Sequence, residues 1–137
     1  MKVTHLLTCL FLCLTSVVFA QDKPEVLAQK VADPWLALVD KGQYAESWQQ
    51  ASSAFKQQLT SDKWNEALVS VRTPIGKVTK RTLSSAQYTT SLPNAPAGEY
   101  VVLQYQSAFE KKNPATETVV MMKDADRQWR PVGYFIK

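Results

Sequence analysis

The chain has 137 residues, two cysteines, one histidine and a formal net charge of +4, and its first 20 residues have the pattern of a secretory signal. They combine a basic start at Lys2 with an apolar run from Leu6 to Phe19, and they end in the small residue Ala20. Without them the mature chain of 117 residues has a charge of +3 and contains neither cysteine nor histidine. This composition excludes Ser-His-Asp and Cys-His catalytic sites, disulfides, and zinc, haem or iron–sulfur sites of the usual ligand types.

The N-terminal segment also determines where we expect the protein to reside. Its apolar run is shorter than the roughly 20 residues that span a bilayer. Thr8 and Leu12 precede the two cysteines, where a lipoprotein signal needs a small residue. We therefore expect cleavage near Ala20 and a periplasmic or secreted protein without a transmembrane span. Residues 21–137 form one domain of ordinary size, and their mild charge does not indicate nucleic-acid binding.

Three helices are predicted in the first half of the mature chain. Residues 24–42 have apolar positions at helical spacing, and Asp33-Pro34 either kinks this helix or divides it in two. The second helix covers residues 43–59. The third covers residues 60–76, where hydroxyl side chains can cap its start and a proline and a glycine close it.

The hydrophobic period then changes to two, which predicts four strands. They cover residues 77–92, 99–109, 116–123 and 128–137, and the first is bent or bulged near Ser84-Ser85. Short polar segments at 93–98, 111–114 and 124–127 connect them. Helices followed by strands predict an α+β domain, in which the helices pack on one face of a curved antiparallel meander.

Glu117 is the acid that the strand pattern places nearest to the core. It alternates with Val119 and Met121, so its side chain faces inward or lies at the rim of that face. Three interpretations remain open: a solvated rim residue, a buried ion pair with an arginine, and a functional acid. A buried glutamate needs a partner, for which an arginine is the natural choice.

The basic residues permit a structural and a functional interpretation. Arg72 ends the third helix, where the helix dipole favours a cation, so it is a helix cap, a salt-bridge anchor or a site residue. A further group of cations would lie across one sheet edge, as a solvated face or as a surface for anionic envelope components. Its members are Lys77, Lys80, Arg81, Lys111 and Lys112.

The tryptophans have the spacing of core residues rather than of a ligand platform. Trp35, Trp48 and Trp64 lie on the apolar stripes of the three helices, and Trp129 lies on the last strand. If the helices cover the sheet incompletely, these aromatic residues would line a pocket between helices and sheet.

Several segments of this chain resemble a bacterial exported family. They are residues 35–44 (WLALVDKGQY), 47–48 (SW), 55–56 (FK), 64 (W), 71–76 (VRTPIG), 81 (R), 92–100, 117–119 (ETV) and 129–134 (WRPVGY). The family is the one named domain of unknown function 4019, and the resemblance covers nearly the whole mature chain. It implies a bacterial, exported, single-domain protein, and no activity comes with it. The order of elements also resembles cystatin-like and nuclear-transport-factor-like cones, which host enzymes and binding domains alike.

The sequence thus favours a non-enzymatic accessory module of the cell envelope, which binds a small ligand or an envelope protein without a cofactor. The expected ligand-binding residues are Trp48 and Tyr134 as walls and Arg72, Arg81 and Glu117 as polar groups. One alternative is a small isomerase or hydrolase that uses only carboxylates and tyrosines. Another is a protein that associates with the envelope surface through its basic face.

Overall fold

A computed structural model describes residues 20–137 as four helices followed by four strands, which confirms the predicted α+β class. The predicted signal peptide, with His5 and both cysteines, lies outside the described residues except for Ala20. The helices are α1 (Pro24–Asp40), α2 (Tyr44–Gln49), α3 (Ser53–Gln58) and α4 (Ser61–Ile75). The strands are β1 (Val78–Thr89), β2 (Tyr100–Phe109), β3 (Lys112–Lys123) and β4 (Trp129–Ile136).

Helix α1 continues through Pro34, so of the two alternatives that the sequence left open, the division into two short helices is wrong. Proline removes one helical hydrogen bond and costs about 3 kcal/mol in a helix interior. Both halves of α1 bury side chains in the same core, Ala28 and Ala32 before the proline and Trp35 and Leu36 after it. Packing on both sides of Pro34 therefore offsets the lost bond.

Gly42 ends α1 as the sequence predicts, and its geometry explains why a glycine is needed there. Its φ of 73° lies in the left-handed region that side chains disfavour. Its N–H donates to Val39 O, and the N–H of Gln43 donates to Leu38 O. This pair of bonds is a Schellman motif, which satisfies the last carbonyls of the helix.

The single helix predicted over residues 43–59 is wrong, because the chain breaks into α2 and α3. Ser52 causes the break: its hydroxyl accepts a hydrogen bond from the N–H of Phe55 and caps a new helix. The N–H of Ser52 donates to Pro131 O at 2.8 Å, which ties the break to β4. Ser52 is fully buried, so this junction is part of the interior.

The sheet is an antiparallel meander in the order β1-β2-β3-β4. The pairing of β1 with β2 shifts register between Leu83 and Ser85, which confirms the predicted bulge. Strand β3 begins at Lys112 rather than at residue 116, because Lys112 already pairs with Phe109 across a tight turn. The predicted turn is therefore present, but it covers Glu110 and Lys111 rather than residues 111–114.

The core lies between the helices and one face of the sheet, and it is rich in aromatic residues. Its buried members are Ala28, Ala32, Trp35, Leu36, Val39, Trp64, Leu68, Val101, Leu103, Tyr105, Val119, Met121 and Trp129. Ser47 on α2 joins three helices there: Trp35 Nε1 donates to its carbonyl (2.8 Å), and Trp64 Nε1 donates to its hydroxyl (2.9 Å). The tryptophans of α1 and α4 are thus core residues, as their spacing predicts.

Candidate functional site

Six polar side chains meet between the helices and the middle of the sheet, and we call them the charge network. Strand register brings three of them together, since Arg81 pairs with Ser107 and Tyr105 with Glu117 in adjacent strands. Because alternate residues of a strand face the same side, these side chains all point towards the helices. The charge network consists of Asp40, Arg72, Arg81, Ser107, Glu117 and Tyr134.

Glu117 lies at the centre of the network with no solvent exposure. Its Oε2 accepts from Arg81 Nε (2.6 Å) and from Ser107 Oγ (2.6 Å). Its Oε1 accepts from Arg81 Nη2 (3.0 Å) and from the hydroxyl of Tyr134 (2.5 Å). A carboxylate has about four acceptor positions, and four donors occupy them. The buried ion pair is therefore the correct interpretation of Glu117, the solvated rim residue is wrong, and no lone pair is left for a substrate.

Asp40 connects the two arginines at the end of α1. Arg81 donates to it twice, from Nη1 to Oδ2 (2.7 Å) and from Nη2 to Oδ1 (2.9 Å), and Arg72 Nη2 donates to Oδ1 (2.9 Å). Burial by itself would raise the pKa of Asp40, but the hydrogen bonds and charges of Arg81 and then Arg72 outweigh it and lower the pKa below its ordinary value. Asp40 is thus ionised at neutral pH, and the network of two acids and two arginines has no net charge.

Arg72 packs on an aromatic ring and keeps one donor without a partner. Its guanidinium carbon lies 5.0 Å from the centroid of Phe109, within the range of a cation–π contact. Its Nη1 also donates to the hydroxyl of Tyr134 over a long 3.4 Å. Its Nε is buried without a hydrogen-bond partner among the described residues. Arg72 is therefore a buried salt-bridge anchor in the last turn of α4.

Tyr134 and Tyr105 are both held as neutral hydroxyls next to carboxylates. Burial and then the charge of Glu117 raise the pKa of Tyr134 well above its ordinary value. Burial and then a hydrogen bond to Asp33 (2.8 Å) raise the pKa of Tyr105 in the same way. Both hydroxyls therefore stay protonated and act as hydrogen-bond donors.

The structure brings together four of the five residues that the sequence indicates as a binding site, namely Arg72, Arg81, Glu117 and Tyr134. Trp48 has its contacts elsewhere: its indole Nε1 donates to Leu59 O at 2.7 Å, and Lys56 lies over its ring. That these residues bind a ligand stays a prediction.

Sequence reasoning missed Asp40 and Ser107. The sequence does contain an indication for Asp40, because an acid at a helix C-terminus opposes the helix dipole and requires cations nearby.

The predicted basic patch contains the lysines but not Arg81, whose side chain turns inward to the two acids. The lysines lie at one end of the sheet, because Val78 pairs with Phe109 and Phe109 with Lys112. Lys77, Lys80 and Lys111 are exposed there. The inclusion of Arg81 in this surface is therefore wrong.

An apolar groove of about 610 Å³ lies between α4 and the free edge of β4 and extends around this edge to Phe135, Thr118 and Gln104 on the other face of the sheet. Pockets that hold small ligands have volumes of about 300–1,000 Å³ and mainly apolar walls. Val71 and Phe135, two residues of this groove, are 45% and 58% exposed. Its walls include Trp64, Leu68, Val71, Tyr134, Phe135 and Ile136. Tyr134 therefore contacts both the groove and the charge network.

Two smaller polar clefts reach the charge network from other sides. One of about 210 Å³ contacts Arg81, Tyr105 and Asp33, and one of about 450 Å³ contacts Asp40 and Arg72. Glu117 lines neither of them. Only the outer members of the network are therefore accessible to a small solute.

The described part of the chain offers few other types of site. Within residues 20–137, no three His, Cys, Asp or Glu side chains are grouped so that they could hold a metal ion. Over the same range, no helix combines the length and the apolar character that crossing a bilayer requires.

Comparison with known proteins places the chain in a family. No curated protein and no solved structure matches it. The matching family model covers residues 31–134, which run from the middle of α1 to Tyr134 and include all six members of the charge network. The chain belongs to the family described as protein of unknown function (DUF4019).

Proposed function

We propose that this protein is an exported, non-enzymatic binding module that takes an apolar ligand group into the groove between α4 and β4. The observation that supports this most is the contrast between the groove and the charge network. The groove leaves aromatic and aliphatic side chains open to solvent, whereas the carboxylates of the network are bonded to its arginines. An enzyme that depends on carboxylates needs an acid or base that can reach its substrate. Glu117, the most buried acid, has four donors and no exposure.

The groove is tested by comparing two valines of α4. Val71 and Val69 are 45% and 46% exposed, but Val71 lines the groove and Val69 does not. We expect the protein to bind the apolar fluorophore 1-anilinonaphthalene-8-sulfonate, and Val71→Glu to abolish the fluorescence increase while Val69→Glu leaves it unchanged. Ligand binding to the folded state also raises the melting temperature. No binding by the folded wild-type protein, or equal loss in both variants, would overturn the proposal.

Export is tested separately from binding. The chain is expressed in a bacterium with its complete N-terminal segment, and the periplasmic fraction is analysed by mass spectrometry. We expect a mature protein that begins near Gln21, since small residues precede signal cleavage sites. A full-length chain retained in the cytoplasm would contradict export without affecting the groove.

A further inference from the structure

The free edge of β4 gives the groove a row of backbone hydrogen-bonding groups. Lys137 and Thr116 exchange two backbone bonds, Lys137 N–H to Thr116 O and Thr116 N–H to Lys137 O. In an antiparallel pair, hydrogen-bonded and non-hydrogen-bonded positions alternate. Ile136, opposite Glu117, and Tyr134, opposite Val119, therefore direct their N–H and C=O groups away from β3. Both residues line the groove.

The first part of the same edge already accepts a backbone partner. The N–H of Ser52 donates to Pro131 O at the junction of α2 and α3. Past this point no residue of 20–137 bonds the edge, because the chain turns into α3 and then α4, and the groove opens between α4 and β4. The edge from Gly133 to Lys137 is therefore available to another chain.

This arrangement selects among the possible occupants of the groove. A helix or a small apolar molecule would cover the edge groups of Tyr134 and Ile136 without bonding them, and a buried polar group without a partner is unfavourable. An extended peptide bonds them and directs alternate side chains into the groove, against Leu68 and Val71. Lys137, the one charged residue of the groove lining, favours an acidic side chain at that end of the peptide.

We infer that the groove binds an extended segment of a partner protein, which adds to β4 as a fifth strand. This inference rests on the proposed function, because it uses the same groove, and it names the class of partner. The segment has apolar residues at every second position and an acidic residue near Lys137. Its backbone bonds to Tyr134 and Ile136 provide affinity, and the apolar wall of α4 provides selectivity.

The partner class is tested by selection from a displayed library of random decapeptides. We expect the selected sequences to alternate apolar and polar residues, and synthetic copies to bind the wild-type protein. Methylation of the peptide nitrogens that face β4 should weaken binding about tenfold or more, since each removes a hydrogen bond at the edge. Selection of amphipathic helical sequences, of no sequences, or of peptides that are insensitive to N-methylation would overturn the inference.

A variant of the protein tests the same bond from the other side. Ile136→Pro removes an N–H that points away from β3 and also replaces a side chain of the groove wall, and prolines are tolerated at such edge positions. Ile136→Ala shortens the same side chain but keeps the N–H, so it is the matched control. We expect Ile136→Pro to bind the selected peptide about tenfold more weakly than Ile136→Ala does. Equal peptide affinity of the two variants would contradict strand addition. If the wild-type protein binds the fluorophore and no peptide, the strand inference fails and the proposed function stands; if it binds neither, both fail.

Discussion

Arg81 bonds two acids that come from distant parts of the chain, Asp40 at the end of α1 and Glu117 on β3. Isolated charges are very unfavourable in a protein interior, but this group of two acids and two arginines is neutral. The contribution of this group to the stability of the fold therefore depends on the presence of all four charged residues. A change that removes one charge leaves another buried without a counterion, and the effect depends on what remains.

A double-mutant cycle measures this dependence. Arg81→Met leaves two acids against Arg72, and we expect it to lower the free energy of unfolding by about 3–5 kcal/mol. Glu117→Gln should also destabilise, because it leaves a surplus cation. In the double variant the remaining Asp40–Arg72 pair is neutral again, so its cost should be clearly less than the sum of the single costs. Urea unfolding at pH 7 gives the three values, and simple additivity would contradict a coupled network.

The lowered pKa of Asp40 predicts how the stability of the fold depends on pH. The arginines lower its pKa in the folded state below the ordinary value of about 3.9, so it stabilises the fold when ionised. Its contribution is complete above about pH 4.5 and is lost as the pH falls through the lowered pKa, because the unfolded chain takes up the proton first. We expect the urea midpoint to fall below about pH 4, and Asp40→Asn to show a weaker fall. The exposed Glu46→Gln is the control, and an equal slope in all three proteins would contradict this assignment.

At the scale of secondary structure, the break between α2 and α3 determines how the helices meet the sheet. Ser52 caps α3 through its hydroxyl and contacts β4 through its N–H. A continuous helix over residues 43–59 would use that N–H internally and lose the contact with Pro131. The break therefore places α3 against β4 and leaves α4 to form the wall of the groove.

Removal of the Ser52 hydroxyl tests its role as a cap. We expect Ser52→Ala to lower the free energy of unfolding by about 0.5–2 kcal/mol, because the N–H of Phe55 loses its acceptor. Ser70→Ala is the matched control: Ser70 is exposed inside α4, where alanine is the better helix former. Circular dichroism during urea unfolding provides both values. Equal stability of the two variants would show that the cap is not needed.

The element order and the strands could be predicted from the sequence because they depend on local periodicity. Apolar and polar residues alternate in residues 101–109 and 117–121 because one face of the sheet is buried. A glycine stands at position 42 because the end of α1 requires a positive φ there. The α2–α3 break could not be predicted by periodicity alone, since the apolar spacing of residues 43–59 suits one helix. The contact that favours the break comes from Pro131, almost 80 residues away.

The sequence indicates most of the residues of the candidate site, but not the hydrogen bonds that join them into a network. Arg72, Arg81 and Glu117 are conspicuous as isolated charges near apolar stripes, which is why the sequence indicates them. Their mutual bonds depend on strand register and on the position of α1, which brings Asp40 to both arginines. Register and helix placement are tertiary properties, so local patterns did not reveal that these residues satisfy one another.

At the scale of the whole molecule, helices and sheet share one core. Trp35 and Leu68 from the helices pack in the same cluster as Leu103 and Val119 from the sheet. Neither layer can bury its apolar face alone, so each depends on the other for stability. The charge network lies in the same layer. It adds polar bonds between α1, α4 and all four strands, and it has no member on α2 or α3.

A shared core predicts a single cooperative unfolding transition. Trp35, Trp64 and Trp129 are at most 6% exposed, so their fluorescence reports on the core, whereas far-ultraviolet circular dichroism reports mainly on the helices. We expect the two signals to have the same urea midpoint and the same slope, as two-state unfolding requires. Loss of the circular dichroism signal at a lower urea concentration than the fluorescence change would show that helices detach before the sheet unfolds.

The hydrogen bond from Ser52 to Pro131 also acts as a length limit. A sheet edge that is free along its whole length can recruit copy after copy and grow into a fibril. Among residues 20–137, the edge of β4 has a backbone partner at Pro131 and none from Gly133 onwards. A strand that adds to β4 would therefore pair only with the last few residues of this strand, which limits the contact to a short segment.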